Sequence, residues 1–152
     1  MSDQEIVIRG YQPKDRESVR QISCQTAFLG VDHREIFPDD QALADCLTSY
    51  FTDYQPQSCF VAQKQAEIVG YLTGAVNAQD FHRILINKIV PKVLWRMLKR
   101  KTLLDKKVIR LFGEWLKSLL KGEFVVPAIP TKYPALLHIN LAKQARGQGV
   151  GA

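Results

Sequence analysis

The residues best suited to chemistry lie at the end of the sequence. There Gln144-Ala145-Arg146-Gly147-Gln148-Gly149-Val150-Gly151-Ala152 follows an apolar, β-branched run over 135–142. Glycine reaches positive φ and carries no side chain to hold a ligand away. Successive backbone N–H groups in such a loop form a concave anion site, and Arg146 beside them can pair with a phosphate oxygen. The chemistry indicated is phosphate binding at the end of a strand. A P-loop is excluded, because no Lys-Ser or Lys-Thr follows the glycines. The dinucleotide fingerprint G-x-G-x-x-G/A is formally met by Gly147, Gly149 and Ala152. That fingerprint normally follows a first strand and has an acidic residue about 20 positions later. A third signature, Q-x-x-G-x-G/A, is met by Gln144, Gly147 and Gly149.

Gln144, Arg146, Gly147, Gly149, Val150 and Gly151 together resemble the acyl-CoA-binding loop of the GNAT superfamily of N-acyltransferases. The order of elements carries the resemblance further: strand, helix, helix, strand hairpin, and a last strand running into Arg-Gly-x-Gly-Val-Gly. It covers roughly 5–76 and 133–152. The fold it implies is an α/β mixed sheet with flanking helices, a single GNAT-like domain over 1–152. It also implies a chain truncated after the fourth strand and the CoA pyrophosphate loop, the N-terminal part of a longer product. The helix after the loop, the fifth strand and the tyrosine often used as general acid would lie beyond Ala152. Residues 1–152 alone are therefore not expected to carry a complete active site.

The activity implied is transfer of an acetyl or other acyl group from acetyl-CoA to a primary amine by direct attack, without a metal. The backbone of Leu141, Ala142 and Lys143 would hold the pantetheine arm; Lys143 stands where the family often has proline. Arg146, Gly147, Gln148, Gly149, Val150 and Gly151 would hold the pyrophosphate. Direct attack needs a base for the ammonium proton, a polarised carbonyl and an acid for the departing thiolate. His138 and Asn140 share one face of the last strand and Tyr133 precedes it, which makes them the catalytic candidates. The connection between the first two helices often borders the acceptor site in this family. Phe28, His33 and Phe37 are accordingly the acceptor-site candidates, for a small-molecule or peptide amine.

The elements that must position these residues are legible from periodicity. Glu5–Arg9 reads as a first strand. Asp15 begins a helix with Val19, Ile22, Thr26 and Ala27 on one face, and Pro38-Asp39-Asp40 begins a second that ends at Gln55-Pro56. Ser58–Ala62 and Glu67–Val76 read as an antiparallel hairpin, with Gly70 and Gly74 marking bulges or close backbone approach. Residues 80–122 are helical in pattern, with Pro91 dividing them. Leu104, Leu111, Trp115 and Leu119 form an apolar stripe expected to pack inward as a cover.

Composition bounds the rest. The 152 residues are 46% hydrophobic and 24% charged, which excludes a disordered or collagen-like chain and fits one globular domain. The net charge of +6 is unevenly placed. Residues 80–122 hold twelve basic and three acidic residues, and so account for more than the whole excess. This basic helical insertion has several readings: a solvated cover, a cap on the CoA site, a homodimer contact, or a surface for an acidic partner or an anionic membrane. The last supports an alternative function, a non-catalytic binding module. Nucleic-acid binding is disfavoured, because stacking aromatics are not interleaved with the charges. Cys24, Cys46 and Cys59 have no metal spacing and read as buried thiols of a reducing compartment. Asp32, His33 and Glu35 fit no ligand motif. The polar start and the lack of a long apolar run give a cytoplasmic expectation.

Overall fold

The β-branched run that opens the chain pairs with the first arm of the hairpin, some fifty residues away. In the computed structural model, which describes residues 6–123, 134–147 and 149–150, strand β1 (Ile6–Gly10) is followed by helices α1 (Arg16–Thr26) and α2 (Asp40–Ser49). Strands β2 (Cys59–Lys64) and β3 (Glu67–Ala75) form the hairpin, with Gln65 at φ 57° in its turn. Helices α3 (Ala78–Ile84), α4 (Val90–Lys99) and α5 (Lys106–Leu120) come next, and β4 (Leu136–Leu141) closes the series. The sheet order is β1-β2-β3-β4.

Every neighbouring pair is antiparallel, which corrects the expectation of a mixed sheet for the described residues. The reason lies in the connections. Gly10 at the end of β1 pairs with Phe60 near the start of β2, and Ala75 at the end of β3 pairs with Leu136 at the start of β4. Each connection returns to the end of the sheet that it left, and a parallel neighbour needs a crossover to the opposite end.

The β2–β3 register shifts between Ala62 and Gln63, leaving Val69 as an extra residue on β3. The bulge turns Ile68 toward the helices. There it packs with Val61 and Tyr71 against Val19 and Ile22 of α1. Val69 itself turns to the opposite face, beside Ala62 and Ala145. The predicted bulge near Gly70 is therefore present, one residue earlier. Gly70 also meets the second expectation for it. A Cβ there would lie 2.4 Å from Leu141 Cδ2 and 3.1 Å from the Asn140 carbonyl oxygen. Any larger residue here would require the Leu141 side chain to move and β4 to give way by a few tenths of an ångström.

The other core joins α2 to the basic block. Ala42, Tyr50, Phe51, Ala75, Ile89, Val93, Met97 and Val108 are buried together. The division expected at Pro91 does not occur. Residues 85–89 form a π-turn that joins α3 to α4, and Pro91 falls in the first turn of α4, where no N–H partner is needed. The helical path breaks instead at Lys101, whose φ is 59°. Two carboxylates of α2 and its cap fix α4. Asp45 accepts from Arg20 at 2.5 Å and from Arg96 at 2.6 Å. Asp39 caps α2 through the Ala42 N–H at 2.9 Å and accepts from Arg100 and Thr102, each at 2.8 Å. Burial would raise the Asp39 pKa, yet these donors together hold it below the usual carboxylate range.

The inward-packed stripe expected on α5 is only partly realised. Val108 is fully buried and Leu111 is half-buried, but Leu104, Trp115 and Leu119 are exposed. Val108 alone reaches the core around Met97, and the rest of the helix extends past it. No described helix is long and apolar enough to cross a membrane.

Candidate functional site

β4 is an edge strand among the described residues, and its register decides which backbone groups are available. In an antiparallel pair, alternate residues turn both N–H and C=O toward the neighbour. Ala142 N–H donates to the Val69 carbonyl at 2.8 Å. The same set, Asn140, His138 and Leu136, therefore bonds to β3. Leu137, Ile139 and Leu141 turn their N–H and C=O groups to the free edge. Of the three residues expected to meet an extended ligand arm, Leu141 faces that edge, Ala142 is committed to β3, and Lys143 is exposed at the start of a 3-10 turn.

The turn Lys143–Ala145 leads into the glycine loop and is held on both sides. Ala145 is buried beneath Ala62 and Val69, and Val150 packs on the same cluster. Between these two apolar anchors, Gly147 and Gly149 have φ of 75° and 74°. A Cβ at either would meet no atom within 4 Å, so the glycines serve backbone conformation and leave open space around the loop. Arg146 is exposed, and its Nε donates to the Leu141 carbonyl at 3.2 Å. This bond ties the loop back to the free edge and fixes the guanidinium beside it. Such a loop, anchored by Ala145 and Val150 and cationic at its start, can take an anionic group. Gln148 and Gly151 lie outside the described residues.

His138 and Asn140 lie on the helix-covered face of β4, as their spacing predicts. Asn140 Nδ2 donates to the Tyr71 hydroxyl at 2.7 Å. Tyr71 is buried against Val19 and Ile22, and burial pushes its phenol up to about 12, so it stays protonated and can donate. His138 is exposed and meets the Phe51 ring edge-on, with centroids 6.0 Å apart. Thr73, opposite His138 in the register, has a buried hydroxyl oxygen with no hydrogen-bond partner among the described residues. Tyr133 lies outside the described residues.

The three acceptor candidates have different surroundings. Phe28 is partly exposed at φ 53°, and Phe37 packs against the α2–α4 core. His33 is buried, with Nε2 2.8 Å from Asp40 Oδ1, in a polar groove of about 350 Å³ between α1 and α2. Arg34 and then His33 hold the Asp40 carboxyl below its ordinary range. These contacts fix the turn at 33–35 onto the start of α2. Cys24 and Cys59 are buried free thiols, and burial pushes Cys59 up to about 12, far from a reactive thiolate. Among the described residues no group of three His, Cys, Asp or Glu side chains could hold a metal ion.

Tyr71, Thr73 and Phe51 were not among the predicted site residues. Their role depends on pairing with residues more than sixty positions away, and only the Gly70-Tyr71 step in the strand hinted at a special position.

No family model matches the sequence, and no curated protein matches it. The fold does match a solved structure. The crystal structure of SsHAT, an acetyltransferase, superposes with a TM-score of 0.70 at 25% identity, over 97% of this chain and 71% of that chain.

Proposed function

We propose that the chain is an acyl-CoA-dependent N-acetyltransferase of the GNAT type, moving an acetyl group from acetyl-CoA to a primary amine. The observation that carries this reading is the free edge of β4 running directly into a loop with two positive-φ glycines, with Arg146 bonded across the junction. The fold shared with an acetyltransferase supports it.

In this reading the Leu141 N–H and the backbone at Lys143 bind the pantetheine arm in the manner of an added strand. The N–H groups of 146–151 and the Arg146 guanidinium bind the pyrophosphate. These residues fit the donor: the edge offers unpaired strand groups, and the loop is open where a side chain would intrude. His138 takes the proton from the substrate ammonium. The neutral nitrogen attacks the thioester carbonyl, the N–C bond forms, and the C–S bond breaks to leave a thiolate. The attacking nitrogen sheds its second proton as the amide forms and the thiolate takes one up, with Tyr133 the candidate that relays it. Asn140 acts through Tyr71, whose position it fixes.

The test is calorimetric titration of residues 1–152 with acetyl-CoA, in the parent and in Gly149→Glu. Binding is expected in the parent. A loss of tenfold or more is expected in the variant, because a carboxylate would enter the anion loop at a φ that glutamate resists, roughly 1–2 kcal/mol from backbone strain alone. Absence of binding to a folded parent overturns the proposal. With binding in hand, release of free thiol on adding amines identifies the acceptor class.

A further inference from the structure

Helix α5 separates polar from apolar with unusual completeness. At 100° per residue, its eight apolar side chains between Val108 and Leu120 fill one continuous arc of about 180°. The opposite half carries Lys106, Lys107, Arg110, Lys117 and, just past the helix, Lys121. Its one acid, Glu114, is already bonded to Lys117 at 2.8 Å. Only Val108, near the N-terminal end of the helix, is fully buried, whereas Ile109, Phe112, Trp115, Leu116, Leu119 and Leu120 are 43–81% exposed.

The width of this arc and the charge beside it decide what it fits. A helix seated in a protein groove uses a narrow row of anchors at i, i+4 and i+7. A half-cylinder of apolar surface flanked by lysines fits a flat interface, where the lysine stems lie along the apolar boundary and their ammonium groups reach outward. At 15 residues α5 is about 22 Å long, too short to span a bilayer, so it must lie in the plane of the interface. The surplus of cations selects a negatively charged surface.

We propose that α5 is an interfacial helix that docks the protein on anionic phospholipid, with Leu116 and Leu120 inserted and Lys106, Arg110 and Lys121 on the headgroups. α4 presents chemistry of the same kind, with Trp95 and Leu98 exposed and the Lys99 ammonium 5.1 Å from the Trp95 ring centroid. The inference is independent of acetyl transfer.

The test is co-sedimentation of residues 1–152 with phosphatidylcholine vesicles, with and without phosphatidylglycerol. A Trp95→Phe background makes Trp115 the only indole for emission. The protein is expected to pellet with the anionic vesicles alone, with a blue shift of Trp115, and to be released by salt. Neutralising Lys106, Arg110 and Lys121 to Gln is expected to weaken binding on the order of a hundredfold. Leu116→Ser with Leu120→Ser is expected to weaken it roughly tenfold or more. Both variants alter exposed side chains, and circular dichroism confirms that they fold. Four results overturn the proposal. They are no binding to anionic vesicles, equal binding to neutral ones, variants that bind like the parent, and self-association by sedimentation that the double Ser variant abolishes. The last assigns the face to a second copy of the chain.

Discussion

Helices α4 and α5 come from one basic block, both are amphipathic, and a single short turn separates them. Their settings differ. α4 sends Val93 and Met97, four residues apart, into the core, and its Arg96 and the adjacent Arg100 end on buried carboxylates. α5 sends in Val108, while its Lys117 meets Glu114 of the same helix and its Lys107 the Arg34 carbonyl. Charge and periodicity are alike in the two segments. What separates them is the location of their partners. Asp45 and Asp39 stand 51 and 61 residues before the arginines they bind. A basic amphipathic helix becomes part of the body when distant acids and cavities are present to receive it, and otherwise remains a surface.

The largest expected effect tests the anchored side. Met97 is 1% exposed in the core shared by α2, α4 and Val108. Met97→Ala is expected to cost about 3 kcal/mol, from lost transfer energy and a residual cavity. Urea denaturation of residues 1–152 measures it. A cost below about 1 kcal/mol would mean that α4 is held by its ion pairs and not by packing, which would narrow its difference from α5.

The ion pairs come next. Asp39→Ala removes the cap of α2 and leaves Arg100 and Thr102 without their acceptor. A loss of roughly 2–3 kcal/mol is expected near neutral pH. The sign of the pH dependence follows from the depressed folded-state pKa. A carboxyl with a lower pKa in the folded than in the unfolded state contributes its stability above the ordinary carboxylate range. That contribution is lost as pH falls through the depressed value. The parent is therefore expected to lose more stability than Asp39→Ala on acidification from pH 7 toward 3 (about the range of carboxylate titration). Parallel curves for the two would show that Asp39 is not coupled to folding.

What the sequence made legible divides along the same line as α4 and α5. Local features were readable: the strand at Ile6–Gly10, the hairpin, the helix starts near Asp15 and Asp39, and the glycines at 147 and 149, because positive φ leaves a mark in residue type. Features set by distant pairing were not. The bulge that reverses Ile68 and Val69 depends on the β2 register, and the Asn140–Tyr71 bond joins residues 69 positions apart. Pro91 misled because its cost is removed by the π-turn before it, a backbone adjustment without a residue signature. The sequence marked His33 as an acceptor-site candidate, but its contact with Asp40 in the wall of a groove was not readable, because it depends on how the turn at 33–35 folds onto α2. The strand-to-loop junction was readable as a candidate donor site. That this strand would expose an unpaired edge was readable as well, but which β4 groups lie on that edge was not, because the register depends on the whole sheet.

The smallest expected effect is the most discriminating. Leu116 and Leu120 are 53% and 81% exposed, so their change to Ser removes little buried surface. The intrinsic helix preference of Leu over Ser adds a few tenths of a kcal/mol at each position. The double variant is expected to lose about 1 kcal/mol or less in urea denaturation while losing vesicle binding. A surface role requires that pairing of results, a small loss in folding with a large loss in docking. A folding loss of several kcal/mol would instead mean that the apolar arc of α5 is covered within the chain itself. In that case α5 would be anchored like α4, by contacts beyond those of Val108.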